Sequence, residues 1–427
     1  MNLLYANDRQ GQYPPSWYHA TANTLPEFPS AKGSLSCDVC IIGAGFTGVS
    51  TALHLAEAGY DVILLDAHRV GWGASGRNGG QVGSGQRKDQ HWIEKRYGLN
   101  VAKAVWQIAE EAKATVKRLI KTHRIDCDWR DGIIHASHTK ADAVDLEEEL
   151  EHLNTNYGTR SSLLTESQAA DALSTDAYFN ASIDRTAGHL HPLNYVFGLA
   201  KAASAAGVRI FENTPAITHS GTHVQLDHAK IASRTLVIAT NGYTGKLNTK
   251  IASRVMPINN FIVATAPLET PLIKHRMAVA DTRFVVNYYR ESADGRLLFG
   301  GGENYGYRFP MDIERFVRRA MLKVYPQLKD VAITHAWGGT LAITSTREPY
   351  FAQPEPDVFT AAGYSGHGVA LATEAGVMLS QAIRGQTERF DLQATLLPPN
   401  LPGLSVLQHP IQVAAMSWFA LRDRLGI

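Results

Sequence analysis

The sequence predicts an α/β protein in two parts, a doubly wound parallel-sheet domain assembled from discontinuous segments and an α+β domain with an antiparallel sheet. Three observations predict it. Residues 37–66 read strand, glycine turn, helix, strand and acid in that order. Apolar strands alternating with helices return near 192–242 and again near 358–382. The stretches between them are either helical and charged or β-like with period two, as a second domain inserted in two pieces would read.

Along the chain, the first 35 residues are rich in Pro, Tyr and Ser and lack periodicity, so they are expected to wrap the surface as an N-terminal arm. Cys37-Asp38-Val39-Cys40-Ile41-Ile42 is an apolar run suited to a buried parallel strand. Gly43-Ala44-Gly45-Phe46-Thr47-Gly48 follows, then a helix from Val49 to Gly59 and a strand from Val62 to Asp66. Gly43 permits the tight turn, Gly45 lets backbone approach a pyrophosphate, and Gly48 lets the helix pack closely on the strand. The helix start offers unpaired N–H groups and partial positive charge to phosphates. Asp66 stands 66 − 48 = 18 residues past the last glycine, placed to accept hydrogen bonds from a ribose diol and to disfavour a 2′-phosphate. This is a Rossmann-like dinucleotide-binding unit. Phe46, Thr47 and Ala67 complete its candidate contacts.

Residues 95–125 and 140–173 carry Ala, Glu, Lys and Leu at helical spacing, and Ile125 to His138 between them reads as a hairpin turning at Asp131-Gly132. Pro192 to Gly207 is helical, Val208 to Phe211 is a strand, and Thr235 to Thr240 is another that closes at Asn241-Gly242. Phe284 to Arg290 and Arg296 to Gly300 form a hairpin across Ala293-Asp294-Gly295. A strand at Val358 to Ala362 and a helix to Ala382 finish the pattern. Residues 1–35 are therefore the arm, 36–94, 186–250 and 340–427 the nucleotide-binding domain, and 95–185 and 251–339 the substrate-binding domain.

The composition is that of an ordinary globular protein, 427 residues with 44% hydrophobic and 19% charged. A net charge of +1, with no basic stripe, argues against nucleic acid. No run approaches the ~18 apolar residues of a membrane span and no secretory leader is recognisable, so a cytoplasmic location is expected. Three cysteines cannot make a disulfide framework. Cys37 and Cys40, inside a strand, are expected to face opposite sides and pack rather than bind metal. His189 and His191 lack a third ligand, and no metal is expected. The segment Val413 to Leu425 is amphipathic and is expected to dock on its own fold or on a neighbouring subunit; oligomeric state cannot be read from the sequence.

A nicotinamide dehydrogenase does not account for four further glycine-rich patches. The first runs from Gly71 to Gln81, containing Gly73, Ala74, Ser75, Arg77, Asn78, Gly79 and Gly80. The others are Thr240-Asn241-Gly242, Gly300-Gly301-Gly302, and Gly363-Tyr364-Ser365-Gly366-His367-Gly368. Such density suggests backbone laid against a flat ligand. With these blocks, Leu53-His54-Leu55-Ala56-Glu57-Ala58-Gly59, His189-Leu190-His191-Pro192-Leu193-Asn194 and Leu421-Arg422-Asp423-Arg424-Leu425-Gly426, the chain resembles the FAD-dependent amine and amino-acid oxidoreductases of the D-amino-acid oxidase and sarcosine oxidase type. The resemblance spans about Ser36 to Gly385 and looks closest to the bacterial γ-glutamylputrescine oxidoreductases. It implies tightly bound FAD and two-electron oxidation of a carbon–nitrogen bond.

Carried over by position, Gly43, Gly45, Gly48 and Asp66 would hold the ADP half, with Val208 to Phe211 and Thr240 to Gly242 flanking it. Arg77 to Gln81 would lie along the isoalloxazine, and Gly366, His367 and Gly368 would supply N–H groups where negative charge develops on reduction. Some relatives attach FAD through a cysteine or histidine. No cysteine follows Cys127 and the first patch has no histidine, so non-covalent FAD is expected.

Hydride transfer to flavin needs no side-chain nucleophile, and no G-x-S-x-G elbow occurs. The candidates that would act on substrate are Tyr288, Tyr289, Arg290, Trp337, Arg347 and His367. Aromatic walls suit a methylene chain bearing a cationic amine, and Arg290 or Arg347 could bind a carboxylate. Against these, one of Tyr288 and Tyr289 should face the core, Arg290 could be a surface ion pair, and His367 reads either as a base or as a positional residue at a helix start. Sarcosine oxidases carry a lysine that activates dioxygen; Gly300 to Tyr305 offers none. The implied reaction is oxidative deamination of the terminal primary amine of γ-glutamylputrescine or a similar γ-glutamylated polyamine to the aldehyde, with release of ammonia and, with dioxygen as acceptor, hydrogen peroxide. A dehydrogenase, a glycine, sarcosine or D-amino-acid oxidase, and a flavin-binding protein without turnover are the alternatives.

Overall fold

The computed structural model describes residues 2–401, and Val413 to Leu425 lies outside them. One sheet follows the spatial order Tyr350–Glu355, Val358–Ala362, Ala229–Ile238, Gly33–Ile42, Val62–Leu65, Arg209–Phe211. The last five of these run parallel. Their apolar residues divide between two cores: Val39, Ile41 and Leu64 join one, Ile42, Ile63 and Leu65 the other. Burial on both faces is why these strands read as continuous apolar runs. Helices Phe46–Glu57, Pro192–Ala205 and Gly368–Ile383 pack over this sheet into the larger core. The helix Leu99–Thr122, in a segment assigned above to the substrate-binding domain, packs there too, through Ile108, Ala109, Ala112, Val116 and Leu119. Its apolar residues recur every three or four positions, so one face must be covered.

The second sheet runs Ile333–Ile343, Met256–Thr265, Leu297–Asn304, Tyr288–Glu291, Ala278–Asp281, Arg130–Ser137, Asn180–His189, Gln81–Val82. It is antiparallel except where Ala278–Asp281 meets Arg130–Ser137.

Several expectations need correction. The hairpin over 125–138 is a single strand, Arg130–Ser137, whose register against Asn180–His189 shifts between Asp131 and Ile133. Gly132, at φ 101°, supplies a β-bulge rather than a turn. The second helical block breaks into Lys140–Asn156, a short strand Ser162–Leu164 and Glu166–Leu173, the last begun by a Thr165–Gln168 capping box. Residues 284–287 precede the strand that starts at Tyr288. Cys37 and Cys40 border the same core cluster instead of opposite faces. The N–H groups of both Asp38 and Val39 donate to the Asp61 carbonyl, at 2.9 and 3.2 Å, which interrupts the alternation between the two cysteines. Burial pushes the Cys37 thiol up to about 12 and raises the Cys40 thiol well above its ordinary value, which leaves both unreactive at neutral pH. The arm is not superficial: Trp17 and Tyr18 are buried, and Asn7 donates to the Tyr307 carbonyl (2.9 Å) and accepts from the Phe309 N–H (2.8 Å).

Candidate active site

The carboxyl ends of the parallel strands open into a cleft of about 1120 Å³, whose other wall comes from the second sheet. It exceeds the ~300–1,000 Å³ of most small-molecule sites. At its nucleotide end, the strand Gly33–Ile42 stops at Gly43 and the helix Phe46–Glu57 begins. A Cβ on Gly48 would stand 1.8 Å from the Gly43 carbonyl oxygen, so only glycine permits this approach of helix to turn. Asp66 lines the cleft with its carboxylate fixed by two backbone donors, Ala44 N to Oδ2 and His68 N to Oδ1, both at 2.8 Å. Burial raises it to about 6 against the pull of those donors.

The separate glycine patches converge here. Phe46 N donates to Ser75 Oγ (2.9 Å), Thr47 and Tyr364 share a hydroxyl hydrogen bond (2.7 Å), and Gly363 N donates to Asn241 Oδ1 (3.0 Å). Thr240 bonds Thr244 (2.7 Å) beside them. Asn78 crosses its own loop, donating to Ala74 and Ser75 carbonyls and accepting from Gly80 N, while Gln81 donates to the Val279 carbonyl. Gly45, Ala67, Gly73, Gly79, Gly242, Gly366 and Gly368 all face the cleft. Exposed backbone, a helix start and an oriented carboxylate in one elongated cleft fit a dinucleotide cofactor.

Of the remaining predicted residues, Tyr288, Arg347, His367 and Arg77 line the cleft, whereas Gly48, Gly80, Gly363, Arg290 and Trp337 stand behind its wall. The strand Arg209–Phe211 does not reach it. Arg77 is spent on structure: its guanidinium stacks over Trp72 (4.5 Å) and bonds the Trp72 carbonyl, Asp8 and the Gly338 carbonyl. Trp337 is enclosed and donates Nε1–H to the Arg77 carbonyl at 3.0 Å, so it supports the glycine loop rather than walling in a substrate. Arg290 is 1% exposed, which removes the surface ion-pair reading. It donates Nε–H to the Gly79 carbonyl (3.1 Å) and approaches the Tyr18 hydroxyl (3.5 Å), holding the loop from behind. Tyr289 turns into the substrate-domain core, stacked on Phe299, while Tyr288 turns into the cleft and donates to Asn260 Oδ1 at 2.5 Å. The Tyr288 ring seats itself against glycines; a Cβ on Gly79 or Gly300 would stand 2.6 or 2.2 Å from it.

His367 caps the helix Gly368–Ile383, and its N–H bonds the Tyr364 carbonyl. Burial, then Arg87 and His135, hold its imidazole down to about 3. It is neutral across physiological pH and a poor base, which fits the positional role. Arg347 holds a left-handed backbone at φ 69°, with its guanidinium over the Phe284 ring at 5.8 Å. Sequence reasoning missed Arg87, His135, Asn260, Phe284 and Glu303, which share this part of the wall. Glu303 directly follows the Gly300-Gly301-Gly302 patch, the nearest thing to a signal; the others lie on unremarkable stretches.

The family described as FAD dependent oxidoreductase matches residues 38–382. The chain belongs to that family. FAD is therefore its cofactor, and the cleft described above is the place in the fold that fits it. The chain is 37% identical to the γ-glutamylputrescine oxidoreductase of Escherichia coli, over 97% of this chain and 100% of that protein. It is 40% identical to the probable oxidoreductase OrdL of Rhizobium meliloti, over 96% and 97% of the two chains. The fold is similar to glycine oxidase from Geobacillus kaustophilus, with a TM-score of 0.74 and 21% identity, covering 86% of this chain and 100% of that one. Among the described residues no helix is long and apolar enough to cross a membrane.

Proposed function

We propose that this protein catalyses oxidative deamination of the terminal primary amine of γ-glutamylputrescine or a similar γ-glutamylated polyamine. The observation that carries the reading is the full-length similarity to γ-glutamylputrescine oxidoreductase, where the family alone would leave the substrate open. The cleft agrees with it: Tyr288 and Phe284 offer aromatic surface to a methylene chain, and charged side chains share the same wall. FAD, held non-covalently along the glycine loops, supplies the two-electron acceptor for the C–H bond beside nitrogen. The protein's own part is to bind, orient and exclude water. Tyr288 fixes the wall through Asn260, Asp66 holds the nucleotide, and the helix start at His367 presents N–H groups to developing negative charge. Loss of hydride converts R–CH2–NH2 to the iminium R–CH=NH2+, and water releases aldehyde and ammonium. Dioxygen as final acceptor, with hydrogen peroxide as product, and a cytoplasmic location belong to the same proposal.

Anaerobic stopped-flow absorbance tests it. Rapid bleaching of the bound flavin by γ-glutamylputrescine, but not by glycine, sarcosine or D-amino acids, is expected, with recovery on admitting air. Bleaching by an amino acid alone overturns the substrate assignment, and failure to recover in air overturns dioxygen as acceptor.

A further inference from the structure

One corner of the cleft carries charges of both signs. Arg87, Glu303 and Arg347 all line it, alongside Phe284, Tyr288 and Tyr307. Arg87 and Arg347 both lie within electrostatic reach of Glu303. Arg87 is an exposed residue on the cleft wall. Among the described residues it has no hydrogen-bond acceptor and no carboxylate at ion-pair distance. A guanidinium presented on the cleft wall without a bonded partner is available to an anionic group that enters. Arg347 is presented by a residue held at φ 69°, a backbone conformation that non-glycine residues adopt only when the surroundings impose it. Glu303 accepts a hydrogen bond from the Tyr305 hydroxyl at 2.8 Å, which aims its carboxylate. Burial raises the Glu303 carboxyl, with that hydroxyl and the two arginines opposing, so a further cation beside it would favour the charged form.

From this arrangement we infer that the corner is a clamp for a zwitterionic α-amino-acid head group, with Arg87 and Arg347 taking the α-carboxylate and Glu303 the α-ammonium. The inference rests on the function proposed for this cleft and names the part of the substrate that is recognised but does not react. A plain diamine would need only the acid and a plain carboxylate only the arginines; a head bearing both charges on one carbon uses all three. The clamp also determines which nitrogen is oxidised. Flavin oxidation needs a neutral amine with its lone pair free. An ammonium facing Glu303 is held protonated, so the α-nitrogen stays inert and reaction falls to the terminal amine.

The test reads binding rather than turnover, and is run anaerobically so that any bleaching of the flavin by 4-aminobutanoyl-n-butylamide, which itself carries a primary amine, is seen separately. γ-Glutamyl-n-butylamide keeps the head and chain but lacks the terminal amine; glutaryl-n-butylamide also lacks the α-ammonium, and 4-aminobutanoyl-n-butylamide lacks the α-carboxylate. Binding to the holoenzyme is read from the flavin difference spectrum and by calorimetry. The γ-glutamyl amide is expected to bind about 30-fold tighter than either analogue, as loss of one charge-assisted contact predicts. Arg87→Gln should weaken the γ-glutamyl and glutaryl amides about tenfold and leave the 4-aminobutanoyl amide unchanged. Glu303→Gln should weaken the γ-glutamyl and 4-aminobutanoyl amides and spare the glutaryl one. Flavin content reports that each variant is folded; if one is not, the wild-type ligand series decides. Binding of all three amides within threefold, or equal loss of all three in flavin-loaded variants, overturns the clamp. Failure of γ-glutamylputrescine to bleach the flavin overturns the proposed function instead, and the amide series then decides the clamp on its own.

Discussion

Replacing Asp66 with Asn should separate the protein's own stability from its hold on the nucleotide. In the apoprotein the carboxyl sits at about 6 rather than its ordinary 3.8, chiefly because burial disfavours its charge. At 1.36 kcal/mol per pH unit, that displacement costs the folded apoprotein roughly 3 kcal/mol at neutral pH. The sign follows from proton counts. Between pH 3.8 and 6 the folded chain holds a proton that the unfolded chain has released, so this group's contribution is fully favourable below 3.8 and is lost as pH rises through 6. Asn removes the charge and that loss with it. It also sacrifices one of the two 2.8 Å bonds from Ala44 N and His68 N, because an amide presents one acceptor and one donor, a change of about 1.5–3 kcal/mol. The two effects nearly cancel at pH 7.5, so the variant apoprotein should melt within a few degrees of wild type there and fall below it at pH 4. FAD, by contrast, loses a charged acceptor for its ribose. Its dissociation constant, from flavin fluorescence quenching, should rise about 10- to 100-fold. Affinity within threefold of wild type, or a melting difference that does not change between pH 4 and 7.5, would refute the assignment of Asp66.

Gly48→Ala puts a Cβ 1.8 Å from the Gly43 oxygen and must push the helix off the turn, so a loss of about 1–3 kcal/mol by thermal denaturation, with weakened FAD binding, is expected. Arg77→Met leaves Asp8 and two carbonyls without their donor; unfolding should become easier by about 3–5 kcal/mol, and limited proteolysis should cut first in the arm. Tyr288→Phe keeps the ring but loses the bond to Asn260, and should lower kcat/KM roughly tenfold with flavin content and melting temperature unchanged. Tyr289→Phe, whose hydroxyl bonds Tyr178 inside the core, should do the reverse, shifting stability by about 1 kcal/mol with kinetics intact.

The nucleotide half was legible because its signals are local. Strand, turn, helix and acid sit within 30 residues, and the tightest glycine constraint, that of Gly48 against the Gly43 carbonyl, is set inside the same turn. The substrate half was not, because its wall is assembled across strands. Whether Tyr288 or Tyr289 faces the cleft depends on register, which alternation leaves two-fold ambiguous until a partner strand is known. Trp337 and Arg290 carry the residue types of a binding site, yet both serve the glycine loop from behind through its carbonyls at Arg77 and Gly79. No feature of sequence distinguishes a tryptophan that touches substrate from one that braces the backbone that does. Asp131-Gly132 misled for a related reason: a glycine at positive φ serves a bulge as well as a turn, and only the strands on either side decide.

The arm's bond from Asn7 to the Tyr307 carbonyl joins residues 300 positions apart. Asp8 reaches Arg77, whose guanidinium also holds the carbonyl of Gly338, and Tyr18 meets Arg290. On a ribosome adding about 5–20 residues per second, these early residues therefore wait roughly 15–70 seconds for the strands that receive them. The first helix and strand of the nucleotide unit can form long before, but the loop that faces the cofactor cannot be fastened until nearly four-fifths of the chain has emerged. The surface that faces the flavin thus takes its final, fastened shape only after most of the chain has been made.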